Sequence, residues 1–211
     1  MIEVLVVDDH TLIRKGLKQL LDDTDDIRVT GEAESGMQAV KMAREQRYDL
    51  VLLDITLPDK YGIDILRQLK SQSPALPVLI LSMHPEEQYA IRSIKAGASG
   101  YMSKQSAPSQ LVAAIRQVAS GKKYISNELA QQLADDLTQD KPQEISHKIL
   151  SNREYQTLCL IASGKSLSEM ADIMSLSAKT VSVYRARMLE KMHLKNNAGA
   201  VRYAINNHLV E

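Results

Sequence analysis

The sequence predicts an α/β doubly wound five-stranded parallel sheet followed by a small all-α domain. Three observations carry that reading. Through the first 120 residues, short runs of β-branched residues and leucine alternate with helically spaced apolar positions, the pattern of a parallel sheet with crossover helices. Strand signals vanish from Leu150 onward. Between the two regions, Thr138 to His147 is polar, carries Pro142 and has no apolar periodicity, which marks a linker.

The elements follow in order. Ile2–Val7, Leu50–Leu53 and Val78–Leu81 are too short for helices and read as strands buried on both faces. Ile27–Ala33 alternates, and Ala98–Met102 is marked by glycine and tyrosine, so both read as weaker strands. Helical spacing links Leu12, Gly16, Leu17, Leu20 and Leu21, then Ala39, Val40 and Ala43. It continues in Ile63, Leu66 and Leu69, then Ile91, Ile94 and Lys95, and ends in Leu111, Ala114, Ile115 and Val118. Ser120-Gly121 stops the last of these helices, with glycine at the usual position. The boundaries are thus 1–120 for the first domain, 121–147 for the linker and 148–211 for the second domain. Within the linker, Leu129, Leu133 and Leu137 predict a helix over 125–137. In the second domain, Ser151-Asn152-Arg153-Glu154 and Ser166-Leu167-Ser168-Glu169 are capping-box patterns that open two helices, the first ended by Gly164. A tight Ser175-Leu176-Ser177 turn leads into a third helix from Ala178 to about Met192. Asn196 to Asn207 forms a fourth.

Composition excludes several classes. The 211 residues hold 44% hydrophobic and 25% charged residues, which is ordinary globular usage. No apolar run approaches the roughly 18 residues of a membrane helix, and the N-terminus has no secretory pattern. The single cysteine, Cys159, lies on an apolar helix face and forms no internal disulfide, so a reduced, cytoplasmic setting is expected. The balance of 26 basic and 26 acidic residues looks neutral but is a cancellation. Residues 1–120 carry 14 basic and 16 acidic groups, 121–147 carry 3 and 5, and 148–211 carry 9 and 5, giving −2, −2 and +4.

Chemistry gathers at the ends of the expected strands. Asp8 and Asp9 follow the first, Asp54 the third, Ser82 the fourth and Lys104 the fifth. In a doubly wound sheet these carboxyl ends meet at one crevice. Three carboxylates there repel one another unless a cation compensates, and Mg²⁺ suits an all-oxygen site that also accepts a phosphate oxygen. A hydroxyl and an ammonium on the same rim are the donors a phosphoryl group requires. Singly, each residue has a plainer role: Asp9 or Thr11 could cap a helix, and Ser82 or Lys104 alone says nothing. Five such residues on four strand ends favour the site. His10 and His84 read as rim residues rather than metal ligands.

The motifs Val6-Val7-Asp8-Asp9-His10, Leu53-Asp54-Ile55-Thr56-Leu57-Pro58, Ser82 and Gly100-Tyr101-Met102-Ser103-Lys104 resemble the receiver domain of two-component response regulators, with its flavodoxin-like fold, over about residues 1–120. The resemblance implies that Asp54 accepts a phosphoryl group from a sensor histidine kinase. It implies that Asp8, Asp9, Asp54 and the Thr56 carbonyl hold Mg²⁺, that Ser82 and Tyr101 switch, and that Lys104 pairs with the phosphoryl charge. One departure is Gln105, where many receivers have a proline in a cis bond.

In the second domain, Leu150-Ser151-Asn152-Arg153-Glu154, Ile161-Ala162-Ser163-Gly164, Glu169-Met170-Ala171, Leu176-Ser177-Ala178-Lys179-Thr180-Val181 and Leu189-Glu190-Lys191-Met192 resemble the LuxR-type helix-turn-helix. Together the two halves resemble the NarL/FixJ family of transcription regulators. At 100° per residue, Val181, Tyr184, Met188 and Met192 share the scaffold side of the third helix, while Lys179, Ser182, Val183, Ala186 and Arg187 lie opposite. Lys179, Thr180, Ser182, Val183, Arg185, Ala186 and Arg187 are the expected DNA-binding set. Some family members have lysine at the positions of Ser182 and Ala186; without it, bidentate reading of guanine is lost there, and recognition is expected to lean on phosphate contacts and shape.

The expected function is a transcription factor whose DNA binding is controlled by phosphorylation of Asp54, with homodimerisation on double-stranded DNA and no membrane partner. The only enzyme-like chemistry expected is phosphoryl transfer to its own Asp54 and autodephosphorylation. One rival is a constitutive DNA-binding regulator with the receiver as a docking site, whose acidic site should be damaged. Another is an aspartate-nucleophile phosphatase, which usually has two aspartates spaced two apart after the first strand; here Asp8 and Asp9 are adjacent and position 10 is His.

Overall fold

The structure, a computed structural model, describes residues 1–59, 61–83, 86–126, 129–131, 147–207 and 209–210. It divides into two compact units, Met1–Thr138 and Gln139–Glu211.

The first unit alternates five strands with five helices: β1 Ile2–Val7, α1 Thr11–Asp22, β2 Ile27–Ala33, α2 Gly36–Glu45, β3 Leu50–Leu53, α3 Gly62–Gln72, β4 Val78–Ser82, α4 Glu86–Lys95, β5 Gly100–Ser103 and α5 Pro108–Ala119. All strand pairs are parallel, in the order β2-β1-β3-β4-β5. The order reverses between β1 and β3, which opens the crevice where ligands of such sheets bind. β1, β3 and β4 are buried along almost their whole length, as expected for strands covered by helices on both faces. Val4, Val6, Leu50, Leu52, Leu79, Leu81 and Met102 form one side of the core with Leu111, Ile115 and Val118 of α5. β5 starts two residues later than the Ala98 expected from the sequence.

Two helices match their expected apolar faces only in part; Leu17, Leu20 and Leu21 of α1 do pack on the core. In α1, Leu12 is 83% exposed and Gly16 is exposed, whereas Arg14 and Leu21 are buried, with Leu17 partly buried against the core. In α4, Tyr89, Ala90 and Ser93 are buried, while Ile91 and Ile94 are half-buried and Lys95 is exposed. A broad or mixed stripe leaves rotation about the helix axis to the surface it packs on.

Gly121 ends α5 at φ 85°, its N–H bonding Val118 and that of Lys122 bonding Gln117. That paired pattern satisfies the last carbonyls and needs a left-handed residue. Beyond it, Tyr124 bridges Gly100 at the start of β5, and its N–H bonds the Ser99 carbonyl. Of the helix expected over 125–137, residues 129–131 are helical and Leu129 is buried; 127, 128 and 132–137 lie outside the described residues.

The second unit has a 3-10 turn at His147–Ile149 and four helices: α6 Asn152–Ala162, α7 Leu167–Met174, α8 Ala178–Lys191 and α9 Asn197–Asn206. Both expected capping boxes form, Ser151 with Glu154 and Ser166 with Glu169, so donors at two helix starts are satisfied locally. Gly164, at φ 74°, ends α6. Ser175 takes the left-handed conformation in the turn between α7 and α8, and Ser177 caps α8 by accepting from the Thr180 N–H. α6 packs against α8 and α9, and α7 against α8.

Candidate phosphoacceptor site and nucleic-acid interface

Register builds the acidic site. Val7 pairs with Leu53, so the residues that follow them, Asp8 and Asp54, emerge side by side at the β1–β3 crevice. The Asp54 N–H bonds the Val7 carbonyl and the Asp8 N–H bonds Ala33, which fixes both backbones. Ser82 pairs with Ser103, and the Lys104 N–H bonds the Ser82 carbonyl at 2.8 Å. Four strand ends therefore converge, and Lys104 reaches across the top. Its Nζ lies 2.5 Å from Asp8 Oδ2 and 2.8 Å from Asp54 Oδ2, with all three side chains buried.

Burial pushes the Asp54 carboxyl above the ordinary aspartate range, and the nearby Asp8 charge adds to that; the charge and hydrogen bond of Lys104 work the other way. Burial alone would lower Lys104, but attraction to Asp54 and hydrogen bonds to Asp54 and Asp8 hold it above the usual lysine value. One ammonium thus serves two buried carboxylates, and a negative charge remains for a further cation. Donor atoms of Asp8, Asp9, His10 and Asp54 all lie within 4.8 Å of one another. Ligands of an octahedral ion at about 2.1 Å stand about 3–4 Å apart, so this cluster is capable of holding a hard divalent cation.

The remaining expected residues fall as follows. The Thr56 N–H donates to Asp54 Oδ1 at 3.2 Å, which lays this peptide against the carboxylate. Ser82 and Tyr101 are fully enclosed. Among the described residues no peptide bond is cis, so Lys104–Gln105 is trans. His10 is exposed at the rim, yet its Nδ1 stands 3.1 Å from Asp8 Oδ1 and 2.8 Å from Asp9 Oδ1. His84 lies outside the described residues.

Two neighbours were not legible as site residues. Asp59 accepts from the N–H groups of Gly36 (2.9 Å) and Met37 (2.8 Å), which ties the loop after β3 to the start of α2. Arg14 donates to the Asp8 carbonyl at 2.6 Å. An acidic residue just past Leu-Pro and an arginine in register with Leu17 and Leu21 were the available signals, and neither names its distant partner.

In the second unit, Val181, Met188 and Met192 of the α8 region are buried and Tyr184 is partly buried. Lys179, Val183, Ala186 and Arg187 are exposed; Ser182 and Arg185 are half-buried. The Ser177 and Thr180 hydroxyls share a hydrogen bond at 2.8 Å, and Arg185 Nε donates to Asn197 Oδ1 at 2.6 Å. The outward face is mixed and basic at its edges, and α7, the turn and α8 form the helix-turn-helix.

The class of protein is then defined: a sheet domain with a buried acceptor aspartate, joined to a helix-turn-helix. The sequence profile of the response regulator receiver domain matches residues 4–116, and that of bacterial regulatory proteins of the luxR family matches 148–204. Response regulator UvrY of Escherichia coli K12 is 37% identical over 209 residues, 99% of this chain and 96% of that one. Response regulator GacA of Pseudomonas aeruginosa is 36% identical over 211 residues, 100% and 99% of the two chains. Among solved structures, a LuxR-family two-component response regulator from Aurantimonas sp. SI85-9A1 has a TM-score of 0.61 at 33% identity, over 66% of this chain and 99% of that one. RcsB from Salmonella enterica serovar Typhimurium, bound to promoter rprA in the presence of phosphomimetic BeF3-, shares the fold at a TM-score of 0.67 and 22% identity, covering 96% of this chain and 98% of that one. The chain belongs to the NarL/FixJ family of two-component response regulators, with a receiver domain followed by a LuxR-type helix-turn-helix.

Proposed function

We propose that Asp54 takes a phosphoryl group from a sensor histidine kinase and that this modification controls homodimerisation and operator binding through α8. The observation that carries the reading is Lys104 placed between Asp8 and Asp54 at the β1–β3 crevice, with Asp9 beside them. Asp8, Asp9, Asp54 and the Thr56 carbonyl would hold Mg²⁺, which when bound offsets the carboxylate charge and takes a phosphoryl oxygen as a ligand.

In the transfer, an Asp54 carboxylate oxygen forms the new bond to phosphorus as the bond to the kinase imidazole nitrogen breaks; the ring, protonated on its other nitrogen, keeps the electron pair and leaves as neutral imidazole. Thr56 N–H and Lys104 orient the carboxylate from opposite oxygens. Lys104 then answers the phosphoryl charge, and Ser82, at the end of β4, supplies a hydroxyl. Enclosed Tyr101 sits one residue along β5 from the Gly100–Tyr124 bridge, so a change at the site has a short path to the chain after α5. The domain boundaries this implies are 1–120, a linker 121–147 and 148–211.

On DNA, Lys179 and Arg187 would meet phosphates while Ser182, Val183 and Ala186 face base edges, Val183 against a thymine methyl. Thr180 would act mainly through the cap of α8, and Arg185 by fixing α8 to the start of α9. RcsB was solved on promoter DNA with a phosphoryl mimic, which supports the same use of DNA here. Among the described residues no helix is long and apolar enough to cross a membrane; the proposed setting is the cytoplasm.

The test is oligomeric state and operator affinity of full-length protein with and without beryllofluoride and Mg²⁺. Dimerisation and tighter binding are expected for the wild type and neither for Asp54→Asn. A variant that still responds fully would refute the switch.

A further inference from the structure

We infer that Arg14 is a positioning residue for the acidic cluster, its guanidinium holding the Asp8–Asp9 peptide from within α1. The inference rests on the reading of Asp8, Asp9 and Asp54 as a cation site.

Arg14 is a charged residue only 9% exposed, in a helical position where an aliphatic side chain would be expected. Burying a guanidinium is costly unless its donors are met. Here one terminal nitrogen donates to the Asp8 carbonyl at 2.6 Å, the other stands 3.4 Å from Thr11 Oγ1, and Nε lies 3.7 Å from Glu32 Oε2. Glu32 is partly exposed and shared with Lys18 at 3.5 Å, so it is a loose partner. The short bond is the one to Asp8, and the carbonyl involved belongs to the peptide that joins Asp8 to Asp9. Rotation of that peptide would swing the Asp9 side chain away from its neighbours. On the other side of the same loop, the His10 N–H donates to Asp8 Oδ1 at 2.8 Å. The two bonds clamp the turn between β1 and α1 from both ends.

In the metal-free protein the fixed positive charge also offsets carboxylate repulsion, a contribution that a bound divalent cation replaces. Asp8, Asp9 and Asp54 crowd three carboxylates at one crevice, and Lys104 is bound to only two of them. Arg14 adds a second buried cation at the backbone of the pair, without occupying a carboxylate oxygen that a metal ion would use. Lysine at this position would keep the charge but could not reach Asp8 O, Thr11 and Glu32 with one planar group.

The experiment titrates Mg²⁺ alone into full-length protein and follows the backbone amide signals of Asp9, His10 and Thr56. The wild type should saturate. Arg14→Met should raise the Mg²⁺ dissociation constant about tenfold, and Arg14→Lys by less, because an ammonium can still donate to the Asp8 carbonyl but without the fork that also meets Thr11 and Glu32. Leu17→Ala, which loosens α1 without touching Asp8, should bind Mg²⁺ as the wild type does. Binding by Arg14→Met within twofold of wild type overturns the inference, as does an equal loss in Leu17→Ala. Should Arg14→Met fail to fold, Arg14→Lys decides: a threefold or greater weakening supports the role, and none overturns it. A wild type that does not respond to Mg²⁺ overturns the cation site itself and the inference with it.

Discussion

Replacing Lys104 by methionine tests whether one ammonium holds the acidic site together in the metal-free protein. At 2.8 Å and an effective dielectric constant of about 20, the gross attraction between Lys104 and Asp54 alone is about 6 kcal/mol. Removing the lysine also removes its own desolvation cost, so the net loss falls near 3 kcal/mol, the lower end for deleting one partner of a buried pair. Its pH dependence has a definite sign. Burial already sets the Asp54 carboxyl above its unfolded value, so the folded state takes up that proton more readily and acidification stabilises it. Lys104→Met removes the charge and the hydrogen bond of Lys104 that lower Asp54, leaving only the Thr56 N–H to do so, so the stability deficit is largest at neutral pH and above, and shrinks as pH falls. Mg²⁺ should also narrow it, because an ion at a hundredfold excess over its dissociation constant adds about 2.7 kcal/mol, and the variant has no competing ammonium. The assay is urea unfolding of full-length protein read from amide signals in β1 and β3, at pH 8 and pH 5, with chelator or with Mg²⁺. A variant as stable as wild type in chelator at pH 8, or a deficit that grows on acidification, would refute the reasoning.

Three further perturbations follow from single contacts. Glu154 is pulled upward by burial, yet hydrogen bonds from Lys191 and Ser151 outweigh this and hold it below the usual glutamate range. Its contribution is therefore present above the unfolded pKa and lost as pH falls through the folded one; Glu154→Gln should cost about 1–2 kcal/mol at pH 7 and progressively less below about pH 4, by urea unfolding of the helical unit. Equal stability at pH 7 would remove the pair from consideration. His193 sits at φ 50° just past α8, with its N–H on Glu190 and the Leu194 N–H on Leu189. His193→Gly keeps those bonds and relieves about 1 kcal/mol, a melting temperature rise of about 4–8 °C for a unit this small; a fall would contradict the strain. Asp59→Ala removes both acceptors at the start of α2, with an expected cost of about 0.5–2 kcal/mol and faster amide exchange at Gly36 and Met37. Unchanged protection there would show that the cap is idle.

The sequence by itself determined the alternation of strands and helices, the capping boxes at Ser151 and Ser166, the glycine stops at Gly121 and Gly164, and the convergence of Asp8, Asp54, Ser82 and Lys104. These are local signals: backbone hydrogen bonding, residue period and chain order act over a few residues, and sheet topology then forces the strand ends together. The recognition helix was legible for the same reason, since Val181, Met188 and Met192 repeat at helical spacing. Only the tertiary structure decided which positions at the margins of the α1 and α4 stripes turned inward, Arg14 rather than Leu12 and Ser93 beside Ile94, because a mixed stripe fits more than one rotation until a packing surface selects it. It also decided where the long polar side chains end. Arg14 on the Asp8 carbonyl, Asp59 on α2, Lys191 on Glu154 and Arg185 on Asn197 bridge segments 6 to 37 residues apart. A flexible side chain has many possible partners in sequence, and the folded backbone leaves it few within hydrogen-bonding reach.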